Sequence, residues 1–277
     1  MAKNSAKLPS FGDPPLNEIA IAVQFAEIEA LKTVHYGAIY DLFKAELPVA
    51  EEYGQLPAKF ETFPSSFGTP QFRFETQDKP PLPRVWFISD DGHEVVQFQP
   101  DRLIRNWRKV EHKGTYPRFE SILPRFVDSY ERVERLLATL SLSALVPNQC
   151  ELSYFNNLFL SEGQSFAQAC EWFFSPNVKL ALPDATALNL EPESSKFTIV
   201  SRMLDAAKNP IGRLYIEATP AISDGRELIR FQLVARGRPV GETSKDVISF
   251  MQVGHETIVR SFDQLVSDDA KLLWGKQ

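Results

Sequence analysis

The chain has 277 residues, of which 43% are hydrophobic and 24% charged, and its formal net charge is -6. That length suits one large or two ordinary domains, and the composition is that of a folded globular protein. The acidic balance excludes a protein that coats nucleic acid or an anionic membrane with its whole surface. The sequence has no secretory signal and no apolar run of about 18 residues, so it predicts a cytoplasmic protein without a transmembrane helix.

The first half begins with an extended lead over residues 1–15 and a strand after it. Large apolar side chains alternate with small or polar ones over residues 18–25, which is the period of a strand. Apolar residues then recur every three or four positions, which predicts a helix over about 30–46 that Pro48 ends. The members of that apolar stripe are Leu31, Val34, Ala38, Ile39 and Leu42. Residues 48–83 are rich in Pro, Phe, Ser and Gly and predict a long loop, in which several Phe side chains between 60 and 74 act as staples.

A meander of three short strands follows this loop. Asp91-Gly92 separates the apolar runs 85–88 and 95–98, and this dipeptide supplies the positive φ angles of a two-residue hairpin turn. Pro100-Asp101 predicts the second turn, and the third strand covers residues 102–109. A helix of about six turns then begins near residue 119, and Pro124 predicts a kink or break near Leu123.

The second half predicts the same order of elements. It contains a strand at 149–156, a short helix at 166–174, strands at 196–205, 212–219 and 227–236, and a final helix after a Thr243 or Ser244 cap. The sequence therefore predicts an α+β protein made of two pseudo-repeated halves, residues 16–142 and 147–277. We expect them to form a largely antiparallel, continuous curved sheet with helices on one face.

Five stretches also carry a resemblance to a known family. They are PPLNEIAIAVQF, PRVWFISDDGHEVVQFQPDRLIRNWRK, YPRFE, PNQCELSYFNN and HETIVRSFDQLVSDDAKLLWG. Together they resemble an uncharacterised, sporadically distributed bacterial family of about this length, with NWRK and NQCELSY as its most specific parts. The resemblance implies no catalytic residue. Its patchy distribution associates the chain with toxin–antitoxin or phage-defence modules.

The strand 102–109 and the residues after it form the most unusual part of the sequence. Basic and aromatic side chains are interleaved there, and the candidate binding residues are Arg102, Arg105, Trp107, Arg108, Lys109, Tyr116 and Arg118. We expect this alternation of Arg and Trp to be exposed. Both residue types are enriched where protein interfaces concentrate their binding energy, so the stretch predicts binding of a partner protein. The same residue types also suit nucleic acid, because arginines pair with phosphates and aromatic rings stack on bases.

The sequence offers little for catalysis. It has no GxSxG, HExxH, GxxxxGKS/T or GxGxxG motif, so no cofactor is expected. His35 and His255 lie beside apolar helix faces, where a histidine is either a core residue or a general base. Asp90, Asp91, His93 and Glu94 have no recognised metal-ligand spacing and are expected to form a turn. Cys150 and Cys170 are interpreted as core residues.

The leading hypothesis is therefore a non-enzymatic protein that binds a partner protein. The alternatives are a nucleic-acid-binding protein that uses residues 102–118 and an enzyme that uses His35 or His255.

Overall fold

The computed structural model describes residues 7–63, 81–175 and 194–277. These residues form one nine-stranded antiparallel sheet and five helices, which confirms the α+β class. The strands are β1 Leu16–Phe25, β2 Val49–Tyr53, β3 Arg84–Ile88, β4 Glu94–Gln99, β5 Arg102–Arg108, β6 Pro147–Phe159, β7 Phe197–Leu204, β8 Pro210–Ser223 and β9 Arg226–Gly237. The helices are α1 His35–Phe43, α2 Phe119–Thr139, α3 Phe166–Phe173, α4 Ser244–Leu265 and α5 Asp268–Leu273.

The strand order across the sheet is β2-β3-β4-β5-β1-β6-β9-β8-β7. β1 and β6 are therefore neighbours at the centre, and they pair in antiparallel register with Ile21 opposite Leu152. Among the described residues, β2 and β7 lie at the two edges. The predicted three-strand meander is confirmed as β3, β4 and β5, with Gly92 at a φ of 73° in the first turn.

The two faces of the sheet differ in chemistry because side chains alternate along every strand. On β1, Ile19, Ile21 and Val23 are fully buried in the main hydrophobic core. Helices α2 and α4 pack on this core face, and Gly254 of α4 brings its backbone against the side chains of Ala235 and Leu152. The opposite face is called the polar face below, because it carries Gln, Arg, Asn and Glu side chains from the central strands.

The first predicted helix begins later than its apolar spacing indicated. α1 starts at His35 and buries Tyr36, Ile39 and Phe43, whereas Val34 is 79% exposed. The backbone N–H of Leu31 instead donates to the carbonyl of Ile28 in a turn. The predicted stripe was wrong at its start because a turn that buries Leu31 has the same local spacing as a helix.

Two further differences concern a missed strand and a proline. β2 lies inside the predicted long loop, and all five of its residues are exposed, so it shows no apolar alternation that could have revealed it. α2 continues through Pro124, so the predicted break was wrong. Proline at this position removes the single hydrogen bond to the carbonyl of Glu120, while Ile122 and Phe126 on either side remain buried in the core.

The second half follows the predicted order, and its strands and helices are confirmed within a few residues. Thr243 caps α4, with its side chain accepting from the N–H of Asp246. The short α5 was not predicted; after it, Trp274 packs on the rings of Phe173 and Phe262. In the part of the chain that the structure describes, no helix combines the length and the apolar character that crossing a membrane requires.

Candidate functional site

The candidate strand β5 lies inside the sheet, between β4 and β1. Its residues Arg102, Arg105 and Trp107 are only 8%, 4% and 4% exposed, so the exposed alternation of Arg and Trp that the binding hypothesis assumed is not found. The alternation instead divides the strand between the two faces. Arg105 and Trp107 point toward the core face, and Arg102 and Arg108 lie on the polar face with their cross-strand partners Gln24 and Glu18.

Arg105 lies beneath α2 at a core-facing position of β5, where an apolar residue would be usual. Its guanidinium group donates to Glu94 at 3.1 Å and to the hydroxyl of Ser129 at 2.9 Å, and Ser129 is fully buried. Arg125 contacts the other carboxylate oxygen of Glu94 at 2.5 Å. Both ends of the Arg105 guanidinium group therefore have hydrogen-bond partners within the protein, as a buried cation requires.

The other core-side candidates form one aromatic group near the start of α2. The ring of Trp107 lies 5.6 Å from that of Tyr116, and the hydroxyl of Tyr116 lies 3.3 Å from that of Tyr154. Arg118 donates to the carbonyl of Phe11 at 2.8 Å. Lys109 follows the strand, and its backbone N–H donates to the carbonyl of Asn17. The candidate residues are therefore not one surface but three separate environments.

On the polar face, four side chains from adjacent strands form a continuous row. Cross-strand pairing places Gln99 opposite Arg102, Arg102 opposite Gln24, and Gln24 opposite Gln149. All four are at most 8% exposed. Below, they are called the polar row.

Residues 55–63, called the crossing segment, run over the polar row. Gln99 accepts from the N–H of Leu56 and donates to its carbonyl, both at 2.9 Å. Arg102 donates to the carbonyl of Pro57 at 3.0 Å. Gln24 and Gln149 accept from the N–H groups of Lys59 and Glu61 at 2.9 and 3.2 Å, respectively. The row therefore holds the segment through its backbone, independently of its side chains.

The far end of the crossing segment neutralises a pair of arginines. Arg213 of β8 and Arg236 of β9 are directly opposite each other on the polar face, an arrangement that is destabilising for like charges. The carboxylate of Glu61 forms ion pairs with both and also accepts from the hydroxyl of Tyr215 at 2.7 Å. Its side chain is only 3% exposed. The ring of Phe63 lies under the Arg213 guanidinium at 4.3 Å, whereas Phe60 is 58% exposed and is not a staple. The other predicted staples, Phe67, Phe72 and Phe74, lie outside the described residues.

A second group on the polar face lies toward the β2 edge. The Arg84 guanidinium is 5.7 Å from the centre of the Tyr53 ring and 5.5 Å from that of Trp86, and the Arg108 guanidinium is 5.7 Å from the Trp86 ring. These four residues are called the arginine–aromatic cluster. Within the described ranges, Nε of Arg84 and Nε1 of Trp86 are buried donors without a hydrogen-bond partner.

The core face contains a cavity of about 310 Å³ beside the aromatic group. Tyr116, Tyr154 and His255 line it and form a chain, in which the hydroxyl of Tyr154 lies 2.8 Å from Nδ1 of His255. The imidazole of His255 stacks on Phe119 with the ring centres 4.0 Å apart. Burial lowers the pKa of His255 to about 4 and raises that of Tyr116 to about 12, so both side chains are uncharged at neutral pH.

The remaining candidates have local structural explanations. His35 begins α1, where its Nδ1 accepts from the N–H of Lys32. Asp91 accepts from Ser89 and from the N–H of His93 within the hairpin turn, and the Ser89 bond lowers the pKa of this carboxyl. Cys150 and Cys170 are buried free thiols, as predicted. No group of three or more metal-ligating side chains occurs among residues 7–63, 81–175 and 194–277.

No protein-family model matches the chain, and a comparison with curated proteins finds no match. The site is therefore argued from its own geometry.

Sequence reasoning missed the three glutamines of the polar row, Glu61 and Tyr154. The glutamines did leave a signal, since Gln24, Gln99 and Gln149 each lie near the end of a strand, next to an apolar residue that faces the core. Their alignment depends on the register of four strands that are distant in sequence. Glu61 lies in a Pro- and Phe-rich stretch, and no periodic pattern marks it.

Proposed function

We propose that the chain is a non-enzymatic binding protein that engages an acidic surface of a partner protein through the arginine–aromatic cluster. The observation that carries this proposal is that the guanidinium groups of Arg84 and Arg108 both lie over the Trp86 ring, 5.5 and 5.7 Å from its centre. Stacking orders both arginines before a partner arrives, which lowers the entropy lost on binding. The positive charges of Arg84 and Arg108 favour a partner that supplies carboxylates.

The arginine–aromatic cluster also lies on the part of the polar face that the crossing segment does not occupy. The crossing segment already occupies the polar row and the Arg213–Arg236 pair. Arg108 belongs to the basic strand and lies outside that occupied region, beside Glu18. Among the seven candidate residues, we therefore assign partner contact to Arg108 first, and structural roles to Arg102, Arg105 and Trp107.

Nucleic-acid binding is the second candidate, because arginines next to exposed rings on a sheet also suit phosphates and bases. Acidic neighbours weigh against it. Glu51 and Glu52 of β2 are exposed, and Glu18 lies opposite Arg108. A protein surface can bind next to this mixture of positive and negative side chains more readily than a polyanion can.

The finer architecture is likewise an inference. In each half the first strand, β1 or β6, lies at the sheet centre, and the three later strands β5-β4-β3 or β9-β8-β7 run outward in mirrored order. This order supports two pseudo-repeated halves. Contacts of α1 with Phe87 and Phe98, and of α4 with Leu152 and Ala235, support helices on one face. A bacterial toxin–antitoxin or phage-defence setting rests on the family resemblance, and the cytoplasmic location stays a prediction.

Affinity capture tests the proposed function. The tagged chain is used at moderate salt to retrieve partners from its native host, alongside the double variant Arg84→Glu with Arg108→Glu. The control is Arg135→Glu with Arg238→Glu, which makes the same change in charge at exposed sites. We expect a stoichiometric protein that the control retains and the cluster variant loses, with both variants folded by circular dichroism.

Two outcomes would contradict this proposal. Retention of the partner by the folded cluster variant would remove the cluster from the interface. Retrieval of nuclease-sensitive material, with affinity that falls steeply as salt rises, would favour the nucleic-acid candidate instead.

A further inference from the structure

The cavity on the core face is separate from the polar face and from the proposed partner surface. One wall is the segment 7–11, and the others come from the start of α2, from β6 and β9, and from α4. Its volume of about 310 Å³ is at the lower end of the range of ligand sites, roughly 300–1,000 Å³. Most of its lining is apolar, including Leu8, Phe11, Leu16, Leu233, Ile258 and Phe262.

Three polar side chains of this cavity, Tyr116, Tyr154 and His255, form an uncharged hydrogen-bonded chain with one free end. A phenol is a better proton donor than a neutral imidazole, so the hydroxyl of Tyr154 donates to Nδ1 of His255. Nε2 then carries the imidazole proton. Among the residues that the structure describes, no acceptor is placed against this N–H, so His255 can donate to a molecule in the cavity.

Both basic and acidic side chains surround the cavity. Arg118 and Lys7 are in the lining, and so is Glu120. Arg118 is already bonded to the carbonyl of Phe11, and the carboxylates of Glu120 and Glu256 act on His255. An anionic ligand would meet the carboxylate of Glu120, and a cationic ligand would meet Lys7 and Arg118. An uncharged ligand avoids both penalties.

We propose that this cavity binds a small, uncharged, largely apolar molecule, and that Nε2–H of His255 donates a hydrogen bond to its single acceptor group. The aromatic walls, Phe119 beneath the imidazole and Phe11 edge-on to Phe262 at 5.3 Å, favour a planar ring or a short flat chain. Tyr116 and Tyr154 position His255 through the hydrogen-bonded chain.

A set of probes with the same ring tests this proposal. Acetophenone supplies an uncharged acceptor, ethylbenzene has none, benzoate is anionic and benzylammonium is cationic. Dissociation constants are measured by chemical-shift titration of the full-length protein at neutral pH. We expect acetophenone to bind about fivefold tighter than ethylbenzene, the value of one typical net hydrogen bond, and tighter than either ion.

Three variants assign the binding to this cavity. His255→Phe should remove the preference for acetophenone over ethylbenzene. Val259→Phe places a ring in the cavity and should abolish binding of both, whereas Val253→Phe, on an exposed part of the same helix, should leave it unchanged. The proposal is overturned if no probe binds, if an ion binds tightest, or if folded His255→Phe keeps the preference. None of these outcomes bears on the arginine–aromatic cluster, so the two proposals fail independently.

Discussion

The side-chain amide of Gln99 forms two hydrogen bonds with the backbone of Leu56. It accepts from the N–H and donates to the carbonyl, both at 2.9 Å. Gln99 is 1% exposed, so this pairing satisfies a buried polar group. The crossing segment therefore has a structural basis on the polar face, and its loss would remove both bonds between the buried amide of Gln99 and Leu56.

Gln99→Leu should loosen the crossing segment. The variant keeps the side-chain volume but removes both bonds to Leu56, which should destabilise the protein by about 1–3 kcal/mol. Hydrogen exchange at the backbone amides of Leu56, Lys59 and Glu61 should accelerate most. Gln252→Leu, on an exposed position of α4, is the control and should change neither quantity. Unaltered exchange in Gln99→Leu would show that the side-chain contacts of the segment hold it instead.

Glu61→Gln should expose the conflict between Arg213 and Arg236. The carboxylate that separates these two cations becomes neutral while both remain largely buried, so we expect a loss of about 3 kcal/mol in the free energy of unfolding. Chemical denaturation measures it. Adding Arg213→Gln to Glu61→Gln should recover part of the loss, because it removes the repulsion. Glu162→Gln, at an exposed turn, provides the neutral comparison.

Two arginines of the same strand should respond differently to truncation. Arg105→Ala leaves Glu94 facing the core without its buried partner, and we expect a loss of about 3–5 kcal/mol. Arg108→Ala removes one bond to the carbonyl of Gly92 and a stacking contact, for about 1 kcal/mol. Thermal or urea unfolding compares them. Equal losses would contradict the division of β5 between the two faces.

The stability of the protein should fall between pH 6.5 and 4 because of His255. Its pKa in the unfolded chain is the ordinary 6.5, and burial lowers the folded value to about 4, although the carboxylates of Glu120 and Glu256 oppose this shift. Between these two pH values the unfolded state binds more protons than the folded state. The free energy of unfolding therefore has its full value above about pH 6.5 and decreases as the pH falls, by up to roughly 3 kcal/mol. His255→Gln should flatten the slope in denaturation experiments. A nuclear magnetic resonance titration midpoint of His255 near its ordinary value would exclude this effect.

Gly237→Ala should be strongly destabilising although its φ is ordinary. A Cβ there would lie 2.7 Å from a ring carbon of Phe250 and would collide with the carbonyl of Ile211. The β8–β9 pair or α4 would have to move, for a loss of about 3 kcal/mol. Gly54→Ala has no atom within 4 Å of its new Cβ and is the control. Similar unfolding midpoints for the two variants would mean that the strand contact relaxes easily.

Most of the fold could be predicted from local patterns. The alternation of Ile19, Ile21 and Val23 predicted β1, and Asp91-Gly92 predicted the β3–β4 turn, because both depend on neighbours in sequence. β2 could not be predicted, since an exposed edge strand has no apolar face to reveal it. The start of α1 was misplaced because a turn and a helix bury apolar residues at the same short spacing.

Local patterns in the sequence predicted most strands and helices, with β2 and α5 as exceptions, and marked the residues with unusual chemistry, because backbone conformation and apolar periodicity are local properties. What those residues contact depends on the tertiary structure. Arg102 joins Gln24, from a strand 78 positions away, and Tyr154 meets His255 across 101 positions. Such pairings follow from strand register and helix packing, which the whole core fixes together. For the same reason, a strand that was expected at the surface lies inside the sheet, with its arginines facing opposite ways.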